Sequence, residues 1–399
     1  MKSNFKHKIV LFNTLIFMFS ILLTGCYDKT ELFQVALVNG IGVDKVSDDN
    51  FVLVTLELAS PYAAQLEEGA LGKTNNSIIV TGGGETVYDA IRHISKSNSV
   101  ILDFAHIKTI ILSENYCETS ISEFLDFAGR NRQFRNINWV LVSDGTANNI
   151  IKSRMSTKDI TSIGLSDMMT KLQKEEYIFP VNLNSLIISL ENQSKSAVVP
   201  LISIGKSEIN PQGKIEVDRT AIIKKDKLIG TLSHDESKSY MWLSDKKTGT
   251  VVVNPIKSEV PNRKVTVLIK KKFAKVVPYM AEDGIHFKIQ CFGTAEIKET
   301  ENFLITKESI DIIERNTETI LKHQLSSLIE KLQHEFNADV IGFAESIYIN
   351  DPKTWFKIED HWNEMFPDAK YEINFNIELK RIGMIKNNPL ISDVEETER

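Results

Sequence analysis

Two stretches of apolar–polar alternation separated by one long amphipathic stripe limit what this chain can fold into. Val265, Val267 and Ile269 alternate with Lys264, Thr266 and Lys270, broken only by Leu268. Tyr371, Ile373, Phe375, Ile377 and Leu379 alternate with Glu372, Asn374, Asn376, Glu378 and Lys380. A period of two makes half-buried strands, one face on a core and one face wet. Between them Ile310, Ile313, Thr317, Leu321, Leu325, Leu328, Leu332 and Phe336 recur at steps of three and four. That stripe predicts one helix over 307–336, roughly 45 Å long, with Thr306 as N-cap. Ser309 at the third helical position denies it a full capping box. Neither element hides its apolar side alone, so the stripe is expected to cover an antiparallel sheet. A coiled coil is the rival reading, but a/d heptads with e/g charges are not clean here.

The N-terminal half reads differently. Residues 35–43 and 51–59 are apolar runs joined by Ser47-Asp48-Asp49-Asn50, a predicted hairpin. A polar loop over 65–76 and a short strand at 77–81 follow. Gly82-Gly83-Gly84 then leads into a helix with Val87, Ile91 and Ile94 on one face. Residues 107–112 and 137–142 read as strands, with a helix carrying Ile121, Phe124, Leu125 and Ala128 between them. The expectation is a strand–helix subdomain at about 77–145, with shorter helices after it as far as Leu190. The stretch 205–216, with Pro211-Gln212-Gly213, is the predicted boundary. The fold class is therefore α+β, a mixed α/β multi-domain chain. Strand–helix alternation comes first, and a helix-covered antiparallel sheet second.

The start of the chain fixes its address. Lys2, Lys6 and Lys8 form a basic region, residues 9–23 an apolar one, and Leu23-Thr24-Gly25-Cys26 a small-residue cleavage site. This is the pattern of a bacterial lipoprotein signal peptide over 1–25, with Cys26 carrying S-diacylglycerol and N-palmitoyl groups. An uncleaved anchor and ordinary secretion are the alternatives. The apolar run is short for a spanning helix, which needs about 20 residues. Cleavage takes the net charge from −6 to −9, because the three lysines leave. An acidic chain is a poor candidate for nucleic acid or for electrostatic docking on anionic lipid. The acyl chains therefore carry the membrane attachment.

No constellation promises catalysis. Cys117 and Cys291 are predicted to be buried free thiols rather than a disulfide. The three glycines precede a helix, but Val87 stands where a dinucleotide fingerprint needs its last glycine, and no Walker lysine follows. A tight strand-to-helix turn is the expectation there. His93, His106, His234, His286, His323, His334 and His361 are scattered, without a metal-ligand spacing. His106 is expected to satisfy a backbone carbonyl. Glu67-Glu68, Asp48-Asp49 and Glu175-Glu176 read as solvated surface. Trp355 and Trp362, seven apart, are expected on one helix face packed toward the long helix, with a partner surface as the alternative. No cofactor, metal or catalytic residue is assigned.

Several segments in order resemble the C-subunit family of spore nutrient-germinant receptors, the GerAC-type lipoproteins. Tyr27-Asp28-Lys29-Thr30-Glu31-Leu32 follows the cysteine, with Tyr where the family has Trp. Val38-Asn39-Gly40-Ile41-Gly42-Val43-Asp44 and Phe104-Ala105-His106 come next, the latter with Ala for Gly. Ala338-Asp339-Val340-Ile341-Gly342-Phe343, Trp355, Trp362-Asn363-Glu364-Met365-Phe366-Pro367 and Arg381-Ile382-Gly383 complete the set. The resemblance implies a three-domain mixed α/β ectodomain on the outer face of the cell membrane or spore inner membrane. It also implies assembly with two integral-membrane subunits, A and B, in a complex that senses nutrients. The small-molecule germinant is not assigned to this subunit, and only Cys26 carries over as a modified residue. The corresponding division is 1–25 signal peptide, 26–205 N-terminal region, 206–390 C-terminal domain and 391–399 acidic tail. A solute-binding lipoprotein of a transporter is the alternative function, and an export-side enzyme is disfavoured by the missing motifs.

Overall fold

The computed structural model describes residues 11–18, 35–46, 51–59, 77–153, 155, 158–175, 179–192, 195–205, 214–243, 251–257, 264–300 and 307–381. Cys26, residues 27–32, the acidic pairs at 48–49 and 67–68, the 206–213 connection, Thr306 and the tail at 391–399 lie outside them. Residues 11–18 form helix α1, whose Leu11, Phe12, Leu15 and Phe17 are exposed. Among the described residues no helix is long and apolar enough to cross a membrane.

Nine strands build the first sheet: β1 (Val35–Val46), β2 (Phe51–Ala59), β3 (Ser77–Gly84), β4 (Ile101–Asp103), β5 (Thr109–Ser113), β6 (Trp139–Ser143), β7 (Ala197–Gly205), β8 (Lys214–Lys224) and β9 (Lys227–Leu232). Their order is β3-β2-β1-β5-β6-β7-β8-β9, with β4 beside the start of β1. The predicted hairpin is present, β1 and β2 pairing antiparallel from Val46↔Phe51 inward. β1 then pairs parallel with β5, and β5 with β6. Helices α2 (Val87–Ser97), α3 (Glu114–Thr119) and α4 (Ser122–Arg130) pack on one face. On the other lie α5 (Ala147–Lys152) and α6 (Thr161–Glu175), while α7 (Leu183–Glu191) returns to the first. Cover on both faces explains why residues 38–44 of β1 are buried without alternation.

One grouping differs from expectation. Residues 77–145 are not a separate subdomain, because β3 lies at the far edge beside β2 while β5 and β6 lie across β1. The predicted division at 205/206 lies in the connection between β7 and β8, and these strands pair antiparallel, so the first sheet takes strands from both sides of it. The three glycines are also not a turn. They end β3, paired with Val54, Leu53 and Val52. A Cβ on Gly84 would stand 2.4 Å from the backbone N of Ala90, so its absence lets α2 pack directly on the strand.

The second unit begins with α8 (His234–Leu243), and its sheet has the order β10 (Val251–Lys257), β11 (Lys264–Ala281), β12 (Gly284–Thr300), β13 (Lys370–Arg381). The long helix is there as α9 (Lys307–His334), with Leu321, Leu325, Leu328 and Leu332 buried against Val265, Ile269, Phe287, Ile289 and Ile373. Sheet covering is thus the observed packing. One part of the expectation needs correcting: β10, β11 and β12 are antiparallel, but β12 and β13 run parallel. The reason is the connection. α9, α10 (Phe343–Asn350), α11 (Pro352–Ile358) and α12 (Trp362–Met365) carry the chain back before β13 starts, as a parallel pair requires. The edge N–H groups of Ile377 and Leu379 donate to Glu318 (2.8 Å) and Glu314 (2.7 Å) of α9, which blunts that edge of the sheet.

Candidate functional site: a buried carboxylate joint

The segment after α9 carries the family-like residues, and their side chains converge on Asp339. One carboxylate oxygen accepts the N–H groups of Gly342 (2.8 Å) and Phe343 (3.1 Å). The other accepts the N–H of Ala344 (2.8 Å) and the indole N–H of Trp362 (3.2 Å). These are the N-terminal donors of α10, which no helix satisfies for itself. Gly342, at φ +82°, turns the backbone so that all three point at one side chain. Burial pushes the Asp339 pKa above the usual carboxylate range, while the three backbone N–H bonds and Lys195 pull it down.

Asp339 also ties the two sheets together. Its carbonyl accepts the N–H of Ser196, just before β7, and Lys195 pairs with Glu345 of α10 at 3.1 Å. Lys224 of β8 donates to the carbonyl of Asn337, and Asn337 donates to that of Asn363 at 3.0 Å. Apolar packing completes the joint. Phe343 stacks on Phe287 of β12 at 4.0 Å, and Trp362 meets Trp355 edge to face at 6.0 Å. Both tryptophans are buried, in keeping with the core reading, but they are not on one helix face. A 3₁₀ turn, Glu359–His361, separates α11 from α12 and swings Trp362 toward Asp339.

Two further buried carboxylates do the same work in the first sheet; the sequence named Asp44 only as the end of a family-like segment, and Glu57 not at all. Asp44 accepts the N–H groups of Ala147 (2.7 Å) and Asn148 (3.0 Å) at the start of α5. Glu57 accepts those of Thr161 (2.8 Å) and Ser162 (2.7 Å), together with the hydroxyls of Ser162 and Ser77. A Cβ on Gly40 would fall 1.7 Å from the Ser162 hydroxyl, so that glycine makes room for α6. The available signal was an acidic residue inside an otherwise apolar strand, since an unpaired buried charge is prohibitive.

The other sequence candidates stay apart. Cys117 and Cys291 are buried free thiols, and burial pushes both pKa values up, that of Cys291 to about 12. His106 is exposed in the turn Phe104–His106, without the expected carbonyl bond among the described residues, because the strand starts only at Thr109. Among the described residues no three His, Cys, Asp or Glu side chains converge as a metal would need. A cleft of about 610 Å³ between α2 and α4 is lined by Tyr88, Phe127, Glu123 and Arg132, beside a mutually paired Asp126 and Arg130.

Fold and joint together define a class: a two-sheet α+β protein whose halves meet around a segment organised by one buried aspartate. Comparison with known proteins gives that class a family. Residues 28–204 match the spore germination protein N-terminal domain, and residues 218–383 the spore germination B3/GerAC-like C-terminal domain. Spore germination protein KC of Bacillus subtilis (strain 168) is 26% identical over 391 residues, covering 93% of this chain and 95% of that protein. Spore germination protein B3 of the same organism is 26% identical, covering 92% and 96%. The crystal structure of the GerBC protein matches with a TM-score of 0.57 at 21% identity, over 86% of this chain and 97% of that one. This chain belongs to the GerAC family of spore germination proteins. Membership supports a role in spore germination.

Proposed function

We propose that this protein is the non-enzymatic, lipid-tethered C subunit of a nutrient-germinant receptor, required for spores to germinate in response to nutrients. In this reading Cys26 is the N-palmitoyl, S-diacylglycerol residue. It holds the body on the outer face of the cell membrane or spore inner membrane, beside the integral-membrane A and B subunits. The observation that carries the reading is end-to-end similarity to spore germination proteins, with the lipoprotein pattern at Cys26 ahead of it. The buried carboxylates add support, since Asp44, Glu57 and Asp339 all use their oxygens on helix N-termini. A solute-binding lipoprotein is less well served. That class needs two similar lobes, and among the described residues one sheet has nine strands and the other four.

The test is Cys26→Ala in the sporulating host. The substituted protein is expected to leave the membrane fraction, and spores carrying it are expected to respond poorly to nutrients while vegetative growth is unchanged. Wild-type germination with a protein that no longer sediments with membranes would overturn the tether.

A further inference from the structure

The second sheet has a wet face that is not an ordinary polar surface. The inner face of the β11–β12 hairpin packs on α9 and α10, and the outer face lies open. At its middle Phe273 and Phe292 stand directly opposite each other in register, 49% and 44% exposed, with rings stacked at 6.4 Å. Tyr279, 44% exposed, lies farther along the same face against His286. Lys271 and Lys275 flank Phe273 on its own strand, both exposed, with no ion-pair partner among the described residues.

Acids along the strands of this face are engaged, while Glu282 is exposed at the hairpin turn. Glu296 pairs with Lys270 and Lys298, Glu378 with Lys380, and Asp283 with Lys370 and His286. Glu372 accepts from Asn374 and stands in register with Lys288. A chain of net charge −6 thus presents one patch where aromatic surface is bordered by unpaired lysines.

We propose that this face docks on an anionic lipid bilayer, with Phe273 and Phe292 entering the interfacial region and Lys271 and Lys275 meeting the headgroups. The patch suits lipid better than protein. A stable protein interface buries about 800 Å² per partner around anchors seated in pockets. Here the aromatics are half exposed on a sheet face, and the flanking lysines are long and adaptable. A bilayer asks only for apolar area and positive charge. The proposal rests on the tether reading, which brings a membrane within reach.

The test uses the full chain in vesicles with bromine-labelled acyl chains, comparing Phe292→Trp with Ile137→Trp on the first unit. Ile137 is 71% exposed and serves as the undocked reference. The wild-type trace is subtracted; of its tryptophans Trp242, Trp355 and Trp362 are buried. The expected result is quenching and a blue shift for Phe292→Trp in phosphatidylglycerol-containing vesicles, with neither for Ile137→Trp. Adding Lys271→Glu and Lys275→Glu is expected to remove the quenching, because each basic residue near such a surface changes the docked population by roughly fivefold. Equal quenching at the two sites refutes docking, as does quenching that persists in neutral vesicles or in the charge-reversed variant. Chains that float with vesicles without quenching at position 292 keep the tether and refute the docking. Chains that do not float at all refute both.

Discussion

Replacing Asp339 should loosen the start of α10 and the seat of Trp362 beside the joint, and the size of the effect follows from its side-chain bonds; the backbone tie to Ser196 is untouched. Four buried donors meet its carboxylate: three backbone N–H groups at the start of α10 and the Trp362 indole. In Asp339→Ala all four lose their acceptor. At about 1 kcal/mol or more for each unsatisfied buried donor, the loss is about 4 kcal/mol. Asp339→Asn is the more diagnostic change. Its amide oxygen still accepts from Gly342 and Phe343, but its NH₂ now faces the N–H of Ala344 and the indole, for a loss of about 2 kcal/mol. Urea unfolding followed by tryptophan fluorescence measures both. The expected order is wild type, then Asn, then Ala, with the Trp362 contribution moving to longer wavelength. A double-mutant cycle with Trp362→Phe should return a coupling of about 1 kcal/mol. An Asp339→Asn midpoint equivalent to wild type within about 0.5 kcal/mol would refute the reasoning, since mispaired donors in a dry joint are too costly to leave no trace.

Other outcomes follow from single contacts. Gly84→Ala should destabilise the first sheet by about 2 kcal/mol or more, read by the same unfolding assay, because its Cβ would meet the α2 backbone rather than a side chain that could move. Glu236 supplies a pH dependence. Burial raises its pKa, but the N–H of Ser233 and the Lys331 ammonium, 3.0 Å away on α9, outweigh that and hold it below its ordinary 4.5. A depressed folded-state pKa means that this stabilisation is complete above pH 4.5 and is lost as the pH falls through the folded value. Glu236→Gln should therefore flatten the acid limb of the stability profile. An unchanged limb would show that the pair contributes nothing there.

The second sheet was legible because its residues face one core. Val265, Val267 and Ile269 point at α9 and their neighbours point at water, so the period of two survives in the sequence. The direction of β13 was not legible, since the same alternation serves parallel and antiparallel pairing alike. Burial on both sides of β1 leaves a continuous apolar run, which marks cover on both faces but not which strand lies beside it, so the parallel partner β5 was not legible. Gly82 to Gly84 misled for a related reason. Glycine marks a turn when the chain must bend and a strand when another backbone must come close, and only the packing of α2 distinguishes the two. At the joint the sequence supplied Asp339 and Trp362 as members of an ordered set, but not the bond that unites residues 23 apart. Net charge hid the Phe273–Phe292 face altogether, because an acidic total says nothing about where paired acids leave lysines free.

The most direct test of the central claim is germination itself. The gene is deleted in the host, and dormant spores are exposed to individual nutrients while loss of absorbance and of heat resistance are followed. Deletion should abolish or strongly slow the response to at least one nutrient. The wild-type gene should restore it, and Cys26→Ala should not. Deletion spores that answer every nutrient at the wild-type rate would contradict a receptor role for this chain.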